Sequence, residues 1–283
     1  MNARPDFPDP VPVDTALDTA LHATLGADLA RAAPPDPRPV LVVLHQETSS
    51  PGRVGQVLRR RGHRLDIRRP PLGHPLPERL DRHRGVVVFG GPMSANDPEP
   101  FVAAEMALME RALREDVPTL GICLGAQLLV RALGGRVAPR ADGETEIGWY
   151  PLRATAEGRA WSPHWPAQVY QWHREGFDLP RGATLLATAD AYPNQAFQLG
   201  SALAVQFHAE LTLAMMCRWT VRGAARLSLP GAQPRERHLA GRLRHDPPLL
   251  RWMEDALMRQ FGWGAAACRV PARHATAGEP GLA

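Results

Sequence analysis

Residues 119–135, TLGICLGAQLLVRALGG, set Cys123 between a short apolar run and an amphipathic one, with small residues on both sides. That pattern fits a sharp strand-to-helix turn carrying a nucleophile at its tip. A residue at such a tip has a strained backbone, so the positions two before and two after it must be small; here they are Gly121 and Gly125. The first free N–H groups of the helix that follows point at the sulfur and at any oxyanion forming beside it, and they favour the thiolate. The alternative is a buried structural cysteine closing a core strand. Two flanking glycines argue against it.

A cysteine nucleophile needs a base, and the base needs a group to orient it. The apolar alternation at 202–208, ALAVQFH, leads into His208-Ala209-Glu210. Two residues apart on extended chain, His208 and Glu210 project to one side, so a carboxylate can hold the imidazole while its other nitrogen faces the sulfur. His-x-Glu is a weak signal in isolation. It gains weight from the preceding predicted strand and from the turn upstream. In an α/β-hydrolase the acid precedes the histidine; here it follows by two, which argues against a cysteine enzyme of the dienelactone-hydrolase type.

Five ordered segments carry a more specific signal: 86–97 (VVVFGGPMSAND), 121–135 (GICLGAQLLVRALGG), 146–152 (EIGWYPL), 169–180 (VYQWHREGFDLP) and 204–210 (AVQFHAE). Together they resemble the class I glutamine amidotransferase family, Cys-His-Glu enzymes that hydrolyse the side-chain amide of glutamine through a thioester, over residues 40–225. The resemblance implies Cys123 as nucleophile, His208 as general base and acid, and Glu210 as the orienting carboxylate. It also implies an oxyanion hole formed by the N–H groups of Gly91 and Leu124, with Gly90 close to the bound acyl group and Gln127 holding the substrate glutamine. His173, in a Trp-His pair frequent in the family, is a structural or substrate-lining histidine. The family often has Gly-Asp after that histidine, where this chain has Arg174-Glu175. Taken alone, Gly90-Gly91-Pro92 reads as an ordinary turn and Gln127 as a solvated helix residue. A related intracellular-protease type places a histidine directly after its cysteine; Leu124 stands there instead.

From residue 40 the pattern alternates strands (40–45, 64–68, 85–89) and helices (53–61, 101–114), which argues for an α/β fold. The expectation is a doubly wound, mostly parallel sheet flanked by helices, the flavodoxin-like class I glutamine amidotransferase fold, with a small antiparallel addition in 146–208. In such sheets the active site lies beyond the carboxyl ends of the strands, and Gly90, Cys123 and His208 each close a predicted strand. The expected organisation is an N-terminal extension (1–38) with an amphipathic middle (13–33), the amidotransferase-like domain (39–228), and a C-terminal extension (229–283) with one helix at 248–261 and a disordered end at 271–283.

Composition narrows the partners. Net charge is +4 and all 33 basic residues are arginine; Arg59-Arg60-Arg61 and Arg68-Arg69 lack the aromatic interleaving of a nucleic-acid platform. No nucleic acid is expected. No run of about 18 apolar residues and no signal-peptide core are seen, so no membrane is expected either. Cys123, Cys217 and Cys268 have neither metal-ligand nor disulfide spacing; no metal or cofactor is expected, and the expected compartment is the cytoplasm. Without lysine there is no phosphate-binding loop of the Gly-x-x-x-x-Gly-Lys type. The implied partners are glutamine or a γ-glutamyl small molecule and, in one of two readings, a separate synthase subunit receiving ammonia. In the other, the protein is a self-contained γ-glutamyl hydrolase. A catalytically silent binding or regulatory protein on the same fold is the alternative of a different class.

Overall fold

Four short apolar runs without polar alternation mark strands covered on both faces. The computed structural model, which describes residues 36–262, sets them side by side at the centre of one sheet. They are β1 (Val40–Val43), β3 (Gly85–Val88), β4 (Thr119–Ile122) and β12 (Ala202–Val205), and every residue in them is buried. With β2 (Leu65–Arg68) outside β1, they form the parallel half of an eight-stranded sheet ordered β2-β1-β3-β4-β12-β11-β10-β7. The remaining strands, β11 (Ala196–Leu199), β10 (Thr184–Thr188) and β7 (Arg153–Ala154), continue it antiparallel. The α/β, doubly wound, mostly parallel architecture is therefore present.

The helices α1 (Gly52–Arg60), α2 (Pro100–Arg114) and α3 (Leu124–Ala132) form the crossovers between parallel strands. Proline at the first position of α2 sets φ for the helix and sacrifices an N–H that has no intrahelical partner. Two antiparallel pairs lie outside the main sheet: β5 (Val137–Pro139) with β9 (Glu175–Phe177), and β6 (Glu146–Pro151) with β8 (Gln168–His173). A short helix, α4 (Ala156–Trp161), precedes β8, and α5 (Leu213–Arg222) follows β12, capped by the Thr212 hydroxyl accepting from Met215 N–H at 3.2 Å.

The C-terminal helix is longer than the sequence suggests. Pro247-Pro248 reads as a helix start, yet α6 runs through it, Arg235–Phe261. Each proline removes an N–H and so frees the carbonyl four residues earlier. Those carbonyls belong to Leu243 and Arg244, both exposed, where water can satisfy them. The buried face of α6 lies on β6 and β8, with Trp149 Nε1 donating to His238 O at 2.9 Å and Tyr170 Oη 2.8 Å from His238 Nδ1. The segments 13–33 and 271–283 lie outside the described residues.

Candidate active site

Parallel registry brings three loops to one edge. Val88 aligns with Gly121 and Ile122 with Val205, so the exits of β3, β4 and β12 fall on one line. Gly90, Cys123 and His208 follow immediately. Cys123 is the N-cap of α3 at φ 51°, ψ −106°, one of two described non-glycine residues with positive φ, and it is 6 % exposed. Leucine 124 is thus the first helical residue, and its N–H has no intrahelical partner. Both flanking glycines are required by contact. A Cβ on Gly121 would stand 2.8 Å from the Gly125 carbonyl, and one on Gly125 would run into the carbonyl of Val88.

His208 is held on three sides. Its N–H donates to Tyr170 O at 2.8 Å, its Nδ1 lies 2.8 Å from Glu210 Oε1, and the Trp219 ring meets it edge-on with centroids 4.9 Å apart. Burial opposes a charged imidazole, but the Glu210 carboxylate and the Cys123 side chain, each also hydrogen-bonded to it, prevail and raise the His208 pKa to about 10. Glu210 is buried in turn, and its carbonyl accepts from Arg53 N–H at 2.9 Å. A Cβ on Gly90 would sit 2.7 Å from His208 Cε1 and 3.4 Å from Cys123 Cβ, so glycine there is what lets β3's exit close over the pair. Such an arrangement can present a sulfur nucleophile, a proton-carrying imidazole and an orienting carboxylate to one bound molecule.

These residues face a cavity of about 230 Å³ whose lining includes Gly90, Gly91, Cys123, His208 and Glu210. Gln127 and His173 are not among its lining residues. Gln127, one turn after Cys123, spends its amide nitrogen on Glu175 O at 2.9 Å and Gln206 Oε1 at 3.2 Å. His173 forms its own buried pair, Nε2 to Glu146 Oε2 at 2.9 Å and Nδ1 to Glu175 O at 3.0 Å. Both brace β9 beside the site.

The Glutamine amidotransferase class-I family model matches residues 51–216, which contain all of these loops except β1's. The chain belongs to the class I glutamine amidotransferase family. The chain is 33% identical over 181 residues to the glutamine amidotransferase-like protein YfeJ of Salmonella typhimurium, spanning 60% of this chain and 75% of that one. A glutamine-hydrolysing GMP synthase of Porphyromonas gingivalis is 34% identical over 142 residues, 48% of this chain but only 26% of the synthase. The crystal structure of a glutamine amidotransferase from Methylobacillus flagellatus superposes with a TM-score of 0.75 at 28% identity, covering 80% of this chain and 95% of that one.

Several contributors to the candidate site escape a sequence reading. His45, at the end of the β1 run, places Nδ1 3.0 Å from Gly90 O and Nε2 2.8 Å from Glu105 Oε2, fixing the β3 exit. Buried Arg53 pairs with Asp246 of α6, across 193 residues of sequence. Trp219, Arg218 and Arg222 of α5 and Arg226 of the turn after it line the cavity; in the sequence their signal is only a spacing of four, 218–222–226. Among the described residues no cluster of three or more His, Cys, Asp or Glu is arranged for a metal ion, and no helix is long and apolar enough to cross a membrane.

Proposed function

We propose that this protein is a cysteine-dependent amidase that cleaves the side-chain amide of glutamine or of a γ-glutamyl compound. The observation that carries this is His208 held between Glu210 and Cys123 at the mouth of one cavity, with a buried carboxylate favouring its charged form. Attack of Cys123 Sγ on the δ-carbonyl carbon forms the C–S bond and a tetrahedral oxyanion. The N–H groups of Gly91 and Leu124 stabilise that oxygen, each worth about 3 kcal/mol in the transition state. His208 gives its proton to the departing nitrogen as the C–N bond breaks, leaving a γ-glutamyl thioester. Water then attacks the thioester, His208 takes a proton from it, and the C–S bond breaks to release glutamate, leaving the thiolate beside protonated His208 as at the start. Gln127 and His173 act at one remove, by bracing β9.

The relation to glutamine-hydrolysing GMP synthases supports a second use of the same chemistry, ammonia delivery to a separate synthase. The chain spans about a quarter of such a synthase, so the acceptor chemistry would reside in another polypeptide or segment. Incubating the purified protein with glutamine and, in parallel, a γ-glutamyl dipeptide, while following glutamate release, tests the reading. Release should vanish in Cys123→Ala without loss of fold; release at wild-type rate in that variant would refute it.

A further inference from the structure

The part of the cavity wall built by α5 and the turn after it carries an unbalanced positive charge. Arg218 and Arg222 lie one turn apart on a face of α5, Arg226 lies in the 3-10 turn that follows it (Ala224–Ser228), and all three line the cavity that holds Cys123. Elsewhere several arginines find carboxylates, as Arg53 does in Asp246, Arg68 in Asp66, Arg140 in Asp142 and Arg259 in Asp255, and others, such as Arg69 and Arg111, donate to backbone carbonyls. Among the described residues no carboxylate pairs with Arg218, Arg222 or Arg226. Arg222 reaches only a neutral group, donating to Thr48 Oγ1 at 3.0 Å across the mouth. Arg226 is the most telling of the three. It is partly buried, and burial together with the neighbouring Arg174 lowers its pKa, with only the Cys123 side chain acting in the other direction. Like charges spaced four apart on a helix repel, and a half-buried cation without a partner costs more. Such a face is stable in use when a bound anion completes it.

Glutamine does not fit this charge pattern well. It carries one carboxylate and one ammonium, hence no net charge, whereas three arginines face the cavity. We propose that the substrate is a γ-glutamyl conjugate of an amine that itself bears a carboxylate, such as an amino acid, and that Arg222 and Arg226 bind that second carboxylate. This rests on the amidase reading and sharpens it by naming the leaving group. In the step that forms the thioester, the C–N bond to the amino acid breaks, His208 protonates the departing nitrogen, and the free amino acid leaves. Gln46, Thr48, Ser49 and Ser50 add neutral hydrogen-bonding groups to the lining, and its carboxylate, Glu210, is already paired with His208, so the three arginines are the cations left to a bound anion. The cations line the cavity of the nucleophile and Arg226 is half-buried there, which favours a small anionic substrate over an acidic protein surface docked outside.

The test compares γ-glutamylglycine with γ-glutamylglycinamide, which differ only in the leaving-group carboxylate, and with glutamine. Wild-type kcat/KM should favour the glycine conjugate over its amide about tenfold or more, as expected for a charged hydrogen-bonded contact, and the ratio should collapse towards one in Arg226→Gln and in Arg222→Gln. The exposed Arg222 serves as the second variant in case Arg226→Gln fails to fold. Turnover of all three substrates with no such preference would overturn this inference and leave the amidase reading standing, as would a preference that neither variant changes; the arginines would then belong to an acidic partner. Absence of turnover on every substrate would count against the amidase reading. Calorimetric binding of the two dipeptide analogues to Cys123→Ala decides the inference in that event, because equal affinities would overturn it and tighter binding of the carboxylate form would sustain it.

Discussion

One methyl group at Gly90 would press on the site's moving part. Its Cβ would come 2.7 Å from His208 Cε1, and shifting the ring would disturb its bond to Glu210 and its contact with Trp219. Gly90→Ala should therefore cut kcat about 10²-fold, the scale of loss for a misplaced catalytic group, while lowering stability by only about 1–3 kcal/mol. Steady-state kinetics beside thermal melting check this, and wild-type kcat in a folded variant would contradict it. At this scale the sequence is informative where chemistry is local. Cys123 betrays itself by its two glycines, and His208 with Glu210 by a spacing of two. Gln127 is equally visible but its direction is not. Helical periodicity puts it on the Cys123 side of α3, whereas its amide is turned to Glu175 and Gln206, partners 48 and 79 residues away. His45 and Arg53 escape for the same reason, since nothing near them in sequence names Glu105 or Asp246.

Among the elements, α6 is the one whose removal would reach the site. Asp246 on α6 pairs with buried Arg53 on α1, and the Arg53 N–H holds the carbonyl of Glu210 at 2.9 Å. Breaking a buried pair leaves an uncompensated charge, so Asp246→Asn should cost about 3–5 kcal/mol. Because the same residue fixes the Glu210 backbone, that variant should also lose activity at temperatures where it remains folded. Denaturant titration with parallel assays tests both; a loss below about 1 kcal/mol would mean that the pair is not structural. The strands of the parallel half were legible as short apolar runs and the crossovers as amphipathic ones. The extent of α6 was not, because a proline pair signals a break from sequence alone, whereas in the fold the carbonyls it frees belong to two exposed residues, Leu243 and Arg244.

For the whole molecule, two buried histidines bound the pH range of stability from opposite sides. Burial and the Arg84 guanidinium lower His63 to about 4, and Arg84 Nη1 lies 3.2 Å from His63 Nδ1. The unfolded chain takes up that proton below about 6.5 and the folded chain does not, so stability falls as pH drops from 6.5 to 4. His208 works in reverse. Raised to about 10 from 6.5, it contributes fully below 6.5 and loses its contribution as pH climbs through 10. Thermal melts across pH should peak between the two windows, and Glu210→Gln, which removes the largest cause raising the His208 pKa, should flatten the alkaline limb; an unchanged alkaline limb would contradict the assignment. The alternation of strands and helices made a mostly parallel sheet legible but not the order of its strands, since β3 follows β2 in the chain yet pairs with β1, and the antiparallel return through β11, β10 and β7 depends on loops whose pairing no local pattern states. The most direct test of the central claim is to quench the protein in acid during turnover of a γ-glutamyl substrate and map covalent mass. The account predicts one γ-glutamyl group on the peptide containing Cys123, absent in Cys123→Ala; turnover with no such adduct, or with the adduct on another residue, would contradict it.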